Sequence, residues 1–203
     1  MSITVPGMAP TATSTDPDPD RITRLGGATT LANAYLRVDT DDVIFPDGRP
    51  GTYNTVTVAE GNGVVAVPTT RWRGLGYVGL VEQYRYPLGR ATLEFPRGGS
   101  LDGSFEEAAR ELVEETGLVA TTGRKLGVVH PDTGILTNEV SVWLTSHETG
   151  TLHPAHVEPE TGARFRWFGV GEFDGLIANG KITCGITLAA FAMLGIRNIP
   201  LFD

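Results

Sequence analysis

Apolar and polar positions follow two different periods along the chain. Apolar runs of about four to eight residues, continuous or alternating, predict strands, whereas apolar residues recurring every three or four positions predict helices. Helical spacing occurs at 105–116 and at about 183–194, where Gly195 is a stop signal. Strand-like stretches occur at 34–38, 41–45, 53–58, 63–68, 76–81, 91–95, 125–130, 140–144 and 163–167. This mixture predicts an α/β fold in which helices pack on a mixed sheet.

Composition divides the chain into three regions. Residues 1–20 are rich in Pro, Thr, Ser and Asp, which predicts a disordered tail. Residues 21–60 combine strand-like stretches with a strong turn signal at 46–51, which predicts a small antiparallel sheet. Residues 61–203 form the main domain. Because a small isolated sheet is only marginally stable, we expect the first sheet to pack on the main domain or on a second subunit.

The helix predicted at 105–116 has clear signals at both ends. Ser104 is an N-cap, and Glu107 three residues later completes a capping box. Gly117 fits the position just beyond the last turn. Its mostly apolar face consists of Phe105, Ala108, Ala109, Leu112 and Thr116.

Glu111, Glu114 and Glu115 project from the opposite face of this helix, because positions i, i+3 and i+4 point to one side. Like charges at this spacing cost a helix roughly 0.2–0.5 kcal/mol per pair, and a cation between them would remove that cost. Oxygen ligands suit Mg²⁺ or Mn²⁺, often together with substrate phosphates. The alternative is a solvated acidic face. The pattern indicates a metal-dependent enzyme acting on phosphates.

The segment before the helix, residues 94–103, is predicted as a short strand followed by a Gly-rich turn. Together with the helix it resembles the Nudix box, G-x5-E-x7-R-E-U-x-E-E-x-G-U, where U is aliphatic. In the first half Gly98 is two residues too close to Arg110, and Asp102 stands where the box has its first Glu. The second half matches at every fixed position: Arg110, Glu111, Leu112, Glu114, Glu115, Gly117 and Leu118.

The resemblance extends over about residues 30–196. Residues 80–87 and 93–98 are similar to the "QYR … ElPaG" run of ADP-ribose pyrophosphatases and related nucleotide-sugar hydrolases. Residues 167–168, 179–183 and 187–190 are similar to the closing strand and helix of that subfamily. The resemblance implies a Nudix-type α/β/α sandwich with a mixed sheet, preceded by a small N-terminal antiparallel sheet. In that subfamily the small sheet packs across a homodimer and helps to hold the substrate's base.

The resemblance also implies roles for individual residues. The metal would be held by Glu111, Glu114, Glu115 and the backbone carbonyl of Arg97, which precedes Gly98. Substrate would be bound by Arg85, Glu94, Arg97 and Gly98. Surface charge at a strand end remains the alternative for Arg85, and simple solvation the alternative for the side chain of Arg97.

A further carboxylate, acting as general base or extra ligand, often comes from a late loop in this subfamily. The turn-rich segment 156–162 offers Glu158 and Glu160. We favour Glu160 as the catalytic residue, because Glu158 precedes Pro159 and is restricted to extended backbone. An ordinary loop charge is the alternative for each.

Charge and cysteine content narrow the function further. The net charge of −8, without a Lys/Arg cluster, argues against nucleic acid as a partner. The lone Cys184 allows no intramolecular disulfide and suits a reducing compartment. No apolar run approaches about 20 residues, and no secretory signal is recognisable, so we expect a cytoplasmic protein without a membrane span.

The leading hypothesis is therefore Mg²⁺-dependent hydrolysis of the pyrophosphate bond of ADP-ribose or a related nucleoside diphosphate sugar. The products would be a nucleoside monophosphate and a sugar phosphate. Two alternatives stay open: hydrolysis of another pyrophosphate, such as a dinucleotide or a nucleoside triphosphate, and a non-catalytic nucleotide-sugar binding module. The sequence leaves open the exact substrate, the number of metal ions, the choice between Glu158 and Glu160, and the effect of the shortened box.

Overall fold

Two sheets organise the chain. The computed structural model describes residues 20–58, 61–147 and 163–197. Of these, residues 20–58 and 132–137 belong to one unit, and residues 61–131, 138–147 and 163–197 belong to the other. The predicted tail lies outside the described residues except for Asp20, and so does the late loop at 156–162.

The smaller unit is a three-stranded antiparallel sheet in the order β1-β2-β3. Its strands are β1 (Thr23–Ala32), β2 (Leu36–Ile44) and β3 (Pro50–Val58). Segment 132–137 joins it, since the Val56 N–H donates to the Ile135 carbonyl at 2.8 Å and the Thr137 N–H donates to the Val56 carbonyl at 3.0 Å. Val43 is the only fully buried residue among those described in this unit.

The sequence divided β2 into two stretches, 34–38 and 41–45, whereas the structure has one continuous strand. Its polar centre is held by cross-strand contacts rather than by apolar alternation. Thr29 Oγ1 donates to Asp39 Oδ1 at 2.6 Å, and Arg24 pairs with Asp41 at 2.9 Å. Strand β1 was not singled out from the sequence, because its Gly- and Thr-rich residues carry little hydrophobic pattern.

The larger unit contains a seven-stranded mixed sheet. Its main path runs β10-β5-β4-β9-β8, with β6 paired to β5 and β7 paired to β4. Strands β4 and β9 are parallel, and the other pairs are antiparallel. The strands are β4 (Asn62–Trp72), β5 (Leu75–Arg85), β6 (Arg90–Glu94), β7 (Arg97–Ser100), β8 (Thr122–Val129), β9 (Val140–Ser146) and β10 (Arg164–Gly169).

Helices cover both faces of this sheet. They are α1 (Phe105–Thr116), α2 (Phe173–Ala178) and α3 (Gly185–Ile196), with short 3-10 turns at Tyr86–Leu88 and Val170–Glu172. Helix α1 buries Ala108 and Leu112 against Val64 and Ala66 of β4. Helices α2 and α3 pack on the core that contains Val65 and Val67, the alternate residues of the same strand. The predicted α/β/α sandwich with a separate small sheet is therefore confirmed.

Strand β4 is a continuous apolar run because helices cover both of its faces, so that neither face meets solvent. Helix α3 continues to Ile196, past the expected stop at Gly195. Helix α2 was missed, because its six residues are too few to show a helical period. None of the helices in the described ranges has the length and apolar character needed to cross a membrane.

Candidate active site

Helix α1 presents the predicted carboxylates, and both of its ends are fixed. Ser104 Oγ accepts from the Glu107 N–H at 3.4 Å, and Gly117 takes a left-handed conformation whose N–H donates to the Val113 carbonyl. The second half of the predicted capping box is replaced, because the Ser104 N–H donates to Asp102 Oδ1 at 2.9 Å. The carboxylate of Glu107 binds Arg110 instead.

Residues 97–100, predicted as part of a Gly-rich turn, form strand β7. This strand pairs with β4, and Gly98 lies opposite Val64. The carboxylate of Glu111 occupies the space beside Gly98 where a Cβ atom would stand. Glycine is therefore required at this position to admit the acid, which is a spatial reason that box spacing alone does not reveal.

The three glutamates differ in their surroundings. The Glu111 side chain is 13% exposed, whereas that of Glu114 is 55% exposed. Glu115 is half-buried, and its Oε2 accepts from the Arg97 N–H at 3.3 Å. Two of the glutamates, Glu111 and Glu115, therefore turn toward β7, and Glu114 faces solvent.

Burial, the largest effect, raises the pKa of Glu115 to about 7, and the Glu111 carboxylate acts in the same direction. The hydrogen bond from the Arg97 N–H and the charges of Arg85 and Arg97 oppose this rise. A carboxyl with this pKa is only partly ionised near neutral pH. A cation beside it would favour its charged form.

Arg110 pairs with three carboxylates of the helix. Its guanidinium pairs with Glu107 at 2.9 Å, with Glu111 at 2.8 Å and with Glu114 at 2.9 Å. Hydrogen bonds to Glu107 and then Glu114 raise the pKa of Arg110 above its usual value. Arg110 thus links the exposed Glu114 to Glu111, and its Nη2 also donates to the Gly99 carbonyl of β7 at 3.5 Å.

Within the described parts of the chain, no three His, Cys, Asp or Glu side chains are grouped so that they could hold a metal ion. Two members of the predicted triad, Glu111 and Glu114, pair with Arg110 at 2.8 and 2.9 Å. The residues at β7 nevertheless fit a divalent cation. Glu111 and Glu115 are half-buried oxygen donors, and glycine at position 98 leaves room for the first of them.

Two arginines share one buried acid next to these carboxylates. Arg85 donates through Nε to Glu94 Oε1 at 3.0 Å and through Nη2 to Oε2 at 2.7 Å. Arg97 donates through Nε to Glu94 Oε2 at 2.9 Å. Burial alone would raise the pKa of Glu94, but the Arg85 hydrogen bond and the charges of both arginines outweigh it and hold the pKa below its usual value.

The family model described as "NUDIX domain" matches residues 62–184. The chain belongs to the NUDIX family. The matched region contains β4 to β10, α1, α2 and every site residue that the structure describes.

Individual relatives of this NUDIX protein are moderately similar. It is 32% identical over 131 residues to an ADP-sugar pyrophosphatase of Mus musculus, which covers 59% of this chain and 60% of the mouse protein. It is 28% identical over 169 residues to an ADP-ribose pyrophosphatase of Mycobacterium tuberculosis, covering 81% and 79%. A crystal structure described as an ADP compounds hydrolase shares the fold, with a TM-score of 0.68 at 17% identity over 90% of this chain and 99% of that one.

The structure of this NUDIX protein brings six predicted site residues together: Arg85, Glu94, Arg97, Gly98, Glu111 and Glu115. The exposed Glu114 shares Arg110 with Glu111, and Glu160 lies outside the described residues. The shared role of Glu94 between two arginines was not expected from the sequence. The feature of the sequence that could have indicated it is that Glu94 is the single acid between Arg85 and Arg97, with the three residues on three successive strands.

Proposed function

We propose that this protein hydrolyses the pyrophosphate bond of ADP-ribose or a related nucleoside diphosphate sugar in a Mg²⁺-dependent reaction. The products would be a nucleoside monophosphate and a sugar phosphate. The observation that carries the proposal is the juxtaposition of the half-buried Glu111 and Glu115 with the cluster of Arg85, Glu94 and Arg97. The names of the mouse and mycobacterial relatives support this substrate class.

The acidic side of the site would hold the metal. We assign Glu111, Glu115 and the backbone carbonyl of Arg97 as ligands of Mg²⁺ or Mn²⁺, with Glu114 as a further ligand once Arg110 releases it. A divalent ion bound there supplies an activated water, charge neutralisation and a stabilised leaving phosphate. The protein's own contribution is to hold two carboxylates at one edge of a packed helix, where burial disfavours the charged form of Glu115 unless a cation is present.

The basic side of the site would bind the diphosphate. Arg85 and Arg97 together carry two positive charges against the one negative charge of Glu94, which leaves a net positive charge beside Glu115. Guanidinium groups match phosphate oxygens in planar, paired hydrogen bonds. The Glu111 carboxylate fills the space beside Gly98, so the acidic side of the site lies against the same strand that carries Arg97.

Two further assignments belong to this proposal. Glu160 would act as general base or additional ligand from the late loop. The protein would act as a homodimer, because the small sheet buries only Val43 among its described residues. It would act in the cytoplasm, and its net charge of −8 disfavours nucleic acid as a partner. Light scattering at micromolar concentration tests the assembly: twice the chain mass of 21.7 kDa is expected, and a monomer mass would contradict it.

The activity is tested by incubating the purified protein with separate substrates: ADP-ribose, other nucleoside diphosphate sugars, a dinucleotide and a nucleoside triphosphate. Each is run with Mg²⁺ and with EDTA, and the phosphate ester products are separated chromatographically. We expect a nucleoside monophosphate and a sugar phosphate from ADP-ribose with Mg²⁺ and none with EDTA. Preference for the dinucleotide or the triphosphate would reassign the substrate. ADP-ribose binding without any hydrolysis would indicate a binding module.

A further inference from the structure

Glu94 is an unusual member of the candidate site, because it is an acid where an anionic substrate would bind. Its side chain is only 4% exposed, whereas those of Arg85 and Arg97 are 26% and 31% exposed. The acid is therefore hidden behind the two arginines that it binds. Both of its oxygens already accept hydrogen bonds, at 2.7–3.0 Å.

The three residues come from three consecutive strands. Arg85 is the last residue of β5, Glu94 the last of β6 and Arg97 the first of β7. The Glu94 carboxylate accepts hydrogen bonds from Nε and Nη2 of Arg85 but only from Nε of Arg97. The other guanidinium donors are not used by this carboxylate and suit a second anion on the exposed side.

The backbone around Glu94 is itself anchored. The Leu93 N–H donates to the Lys181 carbonyl at 3.0 Å, and the Phe95 N–H donates to Thr187 Oγ1 at 3.1 Å. On the other side, the Pro96 carbonyl accepts from the Ala66 N–H at 2.9 Å. The carboxylate therefore extends from a fixed segment, whereas an unsupported arginine side chain has many rotamers to lose on binding.

We propose that Glu94 is a positioning residue that holds Arg85 and Arg97 in a single orientation for binding the substrate's diphosphate, without itself contacting substrate. This inference rests on the proposed function, and it replaces the direct substrate contact expected for Glu94 from the sequence. Glu94 lowers the cost of ordering two flexible side chains before the ligand arrives.

This role makes a specific kinetic prediction. Arginines that bind the diphosphate equally well in the ground state and in the transition state contribute uniform binding. Losing their fixed orientation should therefore raise KM more than it lowers kcat. Glu94→Gln keeps the shape but removes the charge that both guanidiniums bind. We expect KM for ADP-ribose to rise about tenfold and kcat to stay within about threefold.

The matched control is Glu82→Gln. Glu82 also lies on β5 and pairs with an arginine, Arg166, at 3.5 Å, but that pair is exposed on the protein surface. We expect KM and kcat to be unchanged in this variant, because exposed ion pairs contribute little. If Glu94→Gln does not fold, Glu94→Asp replaces it. The aspartate keeps the charge but displaces it by one methylene, and KM is again expected to rise while kcat is kept.

A second background separates positioning from direct contact. In Arg85→Ala/Arg97→Ala protein there are no guanidiniums left to position, so Glu94→Gln should no longer raise KM. An equal rise of KM in that background would show that Glu94 contacts substrate and would overturn the proposal. An unchanged KM for Glu94→Gln or Glu94→Asp in the wild-type background would overturn it too.

Failure of the proposed function has a different signature. If wild-type protein hydrolyses no pyrophosphate, the same variants are compared by calorimetric titration with ADP-ribose in EDTA. Weaker binding by Glu94→Gln, with unchanged binding by Glu82→Gln, would keep the positioning role while the hydrolase assignment falls. Equal binding by both variants, or no binding by wild-type protein, would overturn the positioning role.

Discussion

Helix α1 carries two sets of glutamates with opposite environments. Glu111 and Glu115 turn toward β7, where burial is the main cause that raises the pKa of Glu115 to about 7. Glu107 and Glu114 face solvent and bind Arg110 at 2.9 Å each. The same residue type on one helix thus has two environments. Burial disfavours the charged form of Glu115 beside β7, whereas Glu107 and Glu114 are neutralised by Arg110, which also pairs with Glu111 at 2.8 Å.

The difference shows what sets the surroundings of each candidate ligand. Helical spacing places Glu111, Glu114 and Glu115 within one broad face, but the neighbouring strand decides which of them are desolvated. Gly98 admits the Glu111 carboxylate, and the Arg97 N–H binds that of Glu115. We therefore expect function to follow the half-buried pair and surface behaviour to follow the exposed one.

The largest expected effect separates the two sets by activity. Glu115→Gln removes a ligand charge from the half-buried pair, and we expect turnover of ADP-ribose to fall by about three orders of magnitude, roughly 4 kcal/mol of transition-state stabilisation. Glu107→Gln is the matched control on the exposed side and should stay within about twofold. Circular dichroism checks that both variants keep the fold. Wild-type turnover from Glu115→Gln would remove this helix as the catalytic element.

The next effect is a pH dependence of stability in EDTA. The pKa of Glu115 is raised from 4.5 to about 7 in the folded protein, so its contribution to stability is fully present below pH 4.5 and is lost as pH rises through 7. A shift of this size corresponds to about 3 kcal/mol. Denaturant unfolding between pH 5 and pH 8 should show this loss for wild-type protein relative to Glu115→Gln.

Adding Mg²⁺ sharpens the same measurement, because the ion binds the charged carboxylate and stabilises the folded state by mass action. The decline in wild-type stability above pH 7 should then become smaller. A stability difference between wild-type and Glu115→Gln protein that is constant with pH would mean that Glu115 titrates normally.

The smallest of these effects concerns the space beside β7. Gly98→Ala places a methyl group where the Glu111 carboxylate lies, so the acid must move. We expect turnover to fall about tenfold, roughly 1.4 kcal/mol. Gly175→Ala in α2 is the control, because a Cβ there meets no atom within 4 Å. If both alanine variants turn over substrate equally, the close approach of Glu111 to residue 98 has no role in catalysis.

Much of the large unit could be predicted from the sequence, because its signals are local. The run at 63–68 and the capped helix at 105–116 carry their own periods and end signals, and both were found. Strand β7 was read as a turn, because Arg97–Ser100 has two glycines and no apolar alternation. Its pairing with β4 supplies what its own residues do not show.

The sequence was enough to propose candidate site residues but not to predict their arrangement. The spacing of Arg110, Glu111, Glu114 and Glu115 identified the acidic helix. Which acid Arg110 would hold depends on rotamers and burial, and the sharing of Glu94 by two arginines depends on the meeting of three strands. Such contacts join residues that are distant in sequence, so they produce no periodic pattern from which a single sequence could predict them.

Direct measurement of metal binding tests the central claim, that the half-buried pair on α1 holds a divalent cation. Free Mn²⁺ is followed by electron paramagnetic resonance while wild-type, Glu111→Gln/Glu115→Gln and Glu107→Gln proteins are titrated without substrate. We predict that the double variant binds Mn²⁺ at least about tenfold more weakly, roughly 1.4 kcal/mol, and that Glu107→Gln binds like wild-type protein. Unchanged Mn²⁺ affinity in the double variant, or an equal loss in Glu107→Gln, would contradict the account.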